Sequence, residues 1–360
     1  MPLTIYQPNG FSFIGNRAVN QDAVSPDLAE ATEQDRLFLV CDGMGGGPSG
    51  EIASELVVQG ITQFFNSYEF PFGKNMLGNG NEVADSLETQ FINDAVLEAQ
   101  TQLDTYLAAN PTAKGMGSTL ALLYLVHQQH VSSALVAHIG DSRVYQIRQG
   151  KIIWQSEDHK WVNELVKKGV LTPEEAETHP KRNVISRVVQ AASERQEVAD
   201  VHELFDIQPE DYFFLCSDGV LEALTDARLE EILASMATED EKLTQLKTVC
   251  DGHTADNASA YLVKIKTAET VVTENEDVMG IAVDEADSLL SDEPPLVAQP
   301  SSPVQTKNFV IVILFLLLGS IGGWLLFEKY FKKPSRHPEL KAVGTTSSTV
   351  SVPKTKPYER

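Results

Sequence analysis

The chain has 360 residues, 42% of them hydrophobic, and a formal charge of −23 from 28 Lys and Arg against 51 Asp and Glu. That apolar fraction can fill one large core or two ordinary ones, which argues against a wholly disordered protein. The acidic balance argues against a nucleic-acid partner, whose phosphates would be repelled.

In chain order, the first ten residues carry neither the basic start nor the apolar centre of an export signal, so none is expected ahead of the domain. The string Gly15-Asn16-Arg17-Ala18-Val19-Asn20-Gln21-Asp22 sets a guanidinium five residues before an acid. Arg clamps two phosphate oxygens at once, while a surface turn with an incidental ion pair is the plainer reading. The apolar run 37–41 leads into Asp42-Gly43 and reads as a buried strand that stops at a carboxylate, with the Gly43 carbonyl as a further oxygen donor. Ile52, Leu56, Ile61, Phe64 and Phe65 predict an amphipathic helix opened near Ser49; Val83, Leu87, Phe91, Ala95, Leu103 and Leu107 predict a longer one closed by Asn110-Pro111.

Beyond Gly117 the pattern turns to strands at 118–126, 131–139, 143–147 and 151–154, with turn signals at Gln128-Gln129, Gly140-Asp141-Ser142 and Gln149-Gly150. This reads as an antiparallel meander. Helical patterns return at 160–168, 173–178 and 226–250. A second apolar run, 213–217, stops at Asp218-Gly219, and a last strand follows Asp256-Asn257. Turns this short cannot carry parallel crossovers, so the expected class is an α/β sandwich in layers and not a doubly wound parallel sheet.

Asp42, Asp141, Asp218 and Asp256 thus all fall at strand ends or tight turns. Singly, each is a turn residue; together, in a domain with no Cys/His ligand spacing, they point to an oxygen-lined Mg²⁺ or Mn²⁺ site. Cys41, Cys216 and Cys250 form no CxxC pair, lie in apolar or helical patterns, and read as reduced core thiols.

Residues 267–306 hold nine acids, no Lys or Arg, and a Pro/Ser-rich end, the composition of a flexible tether. Residues 309–327 form 19 positions without a charge, enough at ~1.5 Å per residue to cross most of a ~30 Å hydrocarbon layer, with Gly319 and Gly323 at helix-pairing spacing. A basic, Thr/Ser/Pro-rich tail follows. Flanking charge alone would put that tail in the cytoplasm, but a long domain without an export signal responds poorly to it, so the N-terminal domain is expected there, on a single-pass protein of the inner or plasma membrane.

The ordered set Arg17-x-x-Asn20-Gln21-Asp22, Asp42-Gly43-Met44-Gly45-Gly46, Gly117-Ser118-Thr119, Gly140-Asp141-Ser142-Arg143, Glu157-Asp158-His159, Cys216-Ser217-Asp218-Gly219 and Asp256-Asn257 resembles the PPM (type-2C) metal-dependent protein phosphatases, bacterial branch. The likeness spans residues 10–266 and leaves the tether, span and tail outside. It implies a four-layer α-β-β-α sandwich of two antiparallel sheets flanked by helix pairs, to which the chain adds one C-terminal transmembrane helix. The domains expected are 1–266 for the phosphatase, 267–308 for the linker, 309–327 for the span and 328–360 for a disordered tail.

Carried over position by position, the resemblance implies that Asp42 bridges two Mn²⁺ or Mg²⁺ ions, that the Gly43 carbonyl completes one, and that Asp218 and Asp256 hold the other. Asp141 with Asp218 matches the place of a third, weaker ion. Arg17 matches the phosphate-binding arginine, and Asp22 an acid that hydrogen-bonds metal-bound water. The implied reaction is hydrolysis of phosphoserine and phosphothreonine in proteins by a metal-bridging hydroxide, opposing a Ser/Thr kinase. Gln21 stands where many members have Glu, Met44 where eukaryotic members have a His, and Ser259 where Thr is usual. His159 reads as a structural hydrogen-bonder. Residues 160–187 match a mobile flap beside the family's site, or are only a helical hairpin. Two alternatives stay open: a membrane-tethered pseudophosphatase serving as a phosphoprotein scaffold, and an enzyme acting on a phosphorylated anti-sigma-antagonist type of regulator.

Overall fold

Strands that are apolar at every position need cover on both faces, and the fold supplies it. The computed structural model describes residues 2–45, 49–71, 86–128, 131–192 and 196–269. They form two antiparallel sheets. One runs, in spatial order, β1 (Thr4–Ile5), β13 (Ala258–Thr267), β12 (Tyr212–Cys216), β8 (Arg143–Arg148) and β9 (Lys151–Gln155), with β2 (Asn9–Phe13) also paired to β13. The other runs β10 (Val189–Gln190), β5 (Gly117–Ser118), β4 (Leu37–Met44), β6 (Leu120–Gln128), β7 (Val131–Ile139) and β11 (Asp200–Leu204), with β3 (Asp22–Ser25) paired to β4.

Alternate residues of each strand serve different layers. Phe38 and Val40 of β4 meet Phe213 and Leu215 of β12 between the sheets. Leu39 and Cys41 point the other way, onto α1 (Ser49–Ser67) and α2 (Leu87–Ala109), where Val57, Ile61, Ala95 and Ala99 cover them. Phe214 and Cys216 turn onto α5 (Asp218–Ala223), α6 (Asp226–Ala234) and α7 (Glu239–Cys250). These are the helix, sheet, sheet and helix layers expected from the sequence. Cys41, Cys216 and Cys250 are free and fully buried, and burial pushes all three thiols up, Cys250 to about 11, as core packing requires.

The structure departs from the sequence reading in three places. The strands from 118 to 155 are not one meander: β7 stays in its sheet beside β6 and β11, whereas β8 joins the other sheet beside β12. The Gly140-Asp141-Ser142 turn, with Gly140 at φ 101°, therefore hands the chain from one sheet to the other. The 226–250 pattern is two helices, because Thr238 opens a new one: its side chain accepts from the Glu241 N–H while Glu241 bonds back to the Thr238 N–H. Asp218-Gly219 is no turn but the start of α5, after Ser217. α3 (Trp161–Lys167) and α4 (Pro173–Thr178) are the two helices expected at 160–168 and 173–178.

Among the described residues no helix is long and apolar enough to cross a membrane. The linker, the span expected at 309–327 and the tail lie outside the described residues.

Candidate metal centre

Asp42 and Asp22 face each other across the β3–β4 ladder. Neighbouring loops grip the Asp42 backbone: its N–H donates to Thr119 Oγ1 (2.9 Å), and its carbonyl accepts from the Thr119 N–H (2.9 Å) and the Ser118 hydroxyl (3.0 Å). Thr119 Oγ1 also shares a 2.7 Å hydrogen bond with Ser142 Oγ, which ties the Asp141 turn to Asp42. Gly43 continues the strand. A Cβ there would lie 1.9 Å from the Gly50 carbonyl oxygen, so only glycine lets the N-terminus of α1 come so close to the carboxylate strand.

The other half of the site hangs on Asn257. Its side chain donates to the carbonyls of Ile14 (2.8 Å) and Val19 (3.1 Å) and accepts from the Gln21 N–H (2.8 Å), clamping the loop that carries Arg17. Arg17 is half exposed and pairs with Asp256. A Cβ on Gly219 would lie 2.0 Å from the Asn257 carbonyl oxygen and 3.2 Å from Asp256 Cβ, so the start of α5 rests directly on this segment. Ser217 joins the halves: its hydroxyl donates to Asp22 Oδ2 (2.8 Å) and accepts from the Ser259 N–H (3.0 Å).

The acids so gathered are electrostatically uncomfortable. Burial, then repulsion from Asp22, Asp218, Asp141 and Asp256, holds the Asp42 carboxyl well above the usual range. Burial and neighbouring acids push Asp218 up to about 7. Burial raises Asp22 to about 6 against the Ser217 and Ser259 hydrogen bonds, and burial raises Asp141 as well. Among the described residues, one oxygen each of Asp22, Asp141 and Asp218 is buried with no hydrogen-bond partner. Acids close enough to repel one another, with orphaned oxygens among them, suit a hard divalent cation, and the donor set, all oxygen, suits Mg²⁺ or Mn²⁺.

A second cluster, His138, His159 and Asp200, has ligand atoms within 4.8 Å of one another. A cation already sits there: Arg187 donates to Asp200 Oδ1 (2.6 Å) and lies 3.0 Å from His159 Nε2, and the His159 and Arg187 contacts together hold the Asp200 carboxyl well below its usual range. His159 Nδ1 accepts from the Gly140 N–H (3.1 Å), and the His159 N–H donates to the Gly140 carbonyl (2.8 Å), the structural role expected of it.

The sequence profile of protein phosphatase 2C matches residues 9–251. The chain belongs to the protein phosphatase 2C family. Protein phosphatase PhpP of Streptococcus pneumoniae is 31% identical over 252 residues, 69% of this chain and 93% of that protein. The serine/threonine phosphatase stp of Listeria innocua is 28% identical over 236 residues, 65% of this chain and 86% of that protein. Of the solved structures, the Mycobacterium tuberculosis serine/threonine phosphatase PstP/Ppp has a TM-score of 0.58 at 27% identity, over 73% of this chain and 100% of that one. The PstP catalytic domain, in complex with two manganese ions, has a TM-score of 0.56 at 25% identity, over 73% of this chain and 99% of that one. The chain is accordingly a protein serine/threonine phosphatase, a phosphoric monoester hydrolase.

Within this 2C phosphatase the departures from the family pattern are local. The Gln21 carbonyl accepts from the Gly43 N–H (3.0 Å) and the Ser54 hydroxyl (2.6 Å), and its side-chain amide lies against Gly50, so it braces β4 against α1. Ser259 keeps a hydroxyl where Thr is usual and shares a 2.7 Å hydrogen bond with Ser12. The α3–α4 hairpin borders a cleft of about 430 Å³ lined by Arg143, Asp158, Lys160 and Arg182 among others. Sequence reasoning placed Asn257 and Thr119 in motifs without roles; the structure makes them the clamps of the Arg17 loop and of Asp42. It missed Lys160 as a site residue, because the site acid it pairs with, Asp141, lies in another turn of the chain.

Proposed function

We propose that this phosphatase removes phosphate from phosphoserine and phosphothreonine in proteins with the aid of two divalent cations, Mn²⁺ or Mg²⁺, held by Asp42, the Gly43 carbonyl, Asp218 and Asp256. The observation that carries the reading is the mutual repulsion of Asp42, Asp218, Asp22 and Asp141, with an orphaned oxygen on each of the last three among the described residues, an arrangement that is costly without a cation. Bound there, two such ions would lower the pKa of a water molecule and screen the charge of the phosphate.

The chain's own residues supply the rest. Arg17 stands at the rim on the loop clamped by Asn257, with its guanidinium fork free to exchange Asp256 for two phosphate oxygens. Asp22, one oxygen of which takes the Ser217 hydroxyl, has the other left to accept a hydrogen bond from the attacking water and so orient it. Met44 offers no proton, and the buried thiols stay protonated, so neither a side-chain acid at that position nor a cysteine nucleophile enters the chemistry.

Two further parts of the reading concern the cell. Residues 309–327 anchor the protein in the membrane with the phosphatase domain in the cytoplasm, and the substrates are proteins phosphorylated by a partner Ser/Thr kinase. Protease added to intact spheroplasts should spare the N-terminal domain; digestion there would reverse the orientation. For the chemistry, the full chain is assayed on a phosphothreonine peptide in EDTA, Mg²⁺ and Mn²⁺. Release that needs a metal and disappears in Asp42→Asn is expected. No release from the unsubstituted protein with either metal would leave a scaffold as the better reading.

A further inference from the structure

Two acids of the site already face a cation: Asp256 pairs with the half-exposed Arg17, whereas Asp141 pairs with Lys160, which is largely buried. Lys160 Nζ lies 3.5 Å from Asp141 Oδ2 and 2.9 Å from Asp158 Oδ2. Asp158 does not depend on it, because Arg143 grips both Asp158 oxygens, Nε to Oδ1 at 2.6 Å and the terminal nitrogen to Oδ2 at 2.9 Å. Asp141 does. It is 1% exposed, its Oδ1 has no hydrogen-bond partner, and Lys160 provides the one ion pair seen for it among the described residues.

The placement is built into the backbone. His159 exchanges two hydrogen bonds with Gly140, which stitches the 158–160 segment to the Asp141 turn. Lys160 pairs with Ile185 in an isolated bridge and stands at the cap position just before α3, so its side chain leaves a held main chain. The Lys160 side chain is about four-fifths buried and holds its charge 3.5 Å from Asp141 Oδ2, one of the two oxygens Asp141 could offer a metal. A divalent ion bound by Asp141 and Asp218 would meet that like charge at close range.

We propose that Lys160 is the resident counter-cation of Asp141, standing where a third divalent ion would otherwise bind. The inference rests on the two-ion centre proposed above. The chain then binds two ions through Asp42, Asp218 and Asp256 and admits a third at Asp141 only when the Lys160 charge is removed.

The test is metal stoichiometry, not turnover. Metal-stripped full-length protein is titrated with Mn²⁺ by isothermal calorimetry and, in parallel, by equilibrium dialysis up to millimolar concentration. The expected result is two ions per chain for the unsubstituted protein, three for Lys160→Met and for Lys160→Gln, and two again for Lys160→Met with Asp141→Asn. Three ions in the unsubstituted protein, or two in both single variants, overturns the inference and leaves the two-ion centre standing. Fewer than two ions in the single variants makes Lys160 a structural ion-pair partner and overturns it as well. No ion bound by the unsubstituted protein removes the two-ion centre, and the inference with it.

Discussion

Asp158 is a buried and Asp218 a half-buried carboxylate, and both feel the charge of Lys160, yet the fold treats them oppositely. Burial alone would push Asp158 up, but Arg143 and Lys160 outweigh it and hold its carboxyl below the usual range. Among the described residues Asp218 receives no hydrogen-bonded base and keeps one orphaned oxygen, and it is pushed by burial and by Asp141, Asp256 and Asp22 up to about 7. Both acids are expensive to bury, so the one with bases is paired for structure, and the one without them awaits a cation from solution.

The largest effect that could break this contrast is on turnover. Asp42→Asn keeps shape and hydrogen-bonding size but removes the charge common to the whole acid set, so kcat/KM should fall by about a thousandfold or more, equivalent to about 4 kcal/mol. Asp218→Asn should act in the same direction and add a signature the paired acids cannot give. With less repulsion among buried acids, the metal-free variant should melt higher than the metal-free parent, while its gain in melting temperature on adding Mn²⁺ should shrink. A metal-free variant that melts lower than the parent would sink the claim that Asp218 is unpaired.

The paired side breaks differently. Arg143→Met leaves Asp158, whose side chain is 5% exposed, without its bidentate partner, and should cost about 3 kcal/mol in urea unfolding with or without metal. If added Mn²⁺ restored that loss, Asp158 would belong to the metal site and the contrast would fail.

How much of this was legible in the sequence depends on which interaction carries each feature. Continuous apolar runs such as 37–41 and 213–217 announced strands covered on both faces, and Asn110-Pro111 marked the end of α2, because burial and capping are written locally. The Gly140-Asp141-Ser142 turn could not say that it changes sheets, since the same residues serve a hairpin or a crossing and only the distant partners β11 and β12 decide. The six residues of α5 are too few for a helical period to show. Among the site residues, the acids were visible as motifs, but the Lys160 contact with Asp141 was not, because nothing local to 160 points to 141; the His159 bonds to Gly140 bring them together.

The smallest effect separates the two kinds of acid by pH. In the metal-free protein Asp22 and Asp218 hold protons up to about 6 and about 7, whereas the unfolded chain releases them near 3.8. Across that window the folded state binds more protons than the unfolded one, so stability falls as pH rises. Asp158, held below its usual range, contributes stability that is present above about 3.8 and lost only as pH falls further, so it is silent in the same window. His138, kept neutral by burial, works against the trend, because its contribution grows as pH rises toward 6.5. Comparing metal-free parent with metal-free Asp218→Asn cancels the histidine, which both share. From pH 4.5 to 7 the parent should lose a few degrees of melting temperature relative to the variant, and saturating Mn²⁺ should abolish the loss. Parallel curves for parent and variant across this range would show that Asp218 is not a proton-holding, unpaired acid.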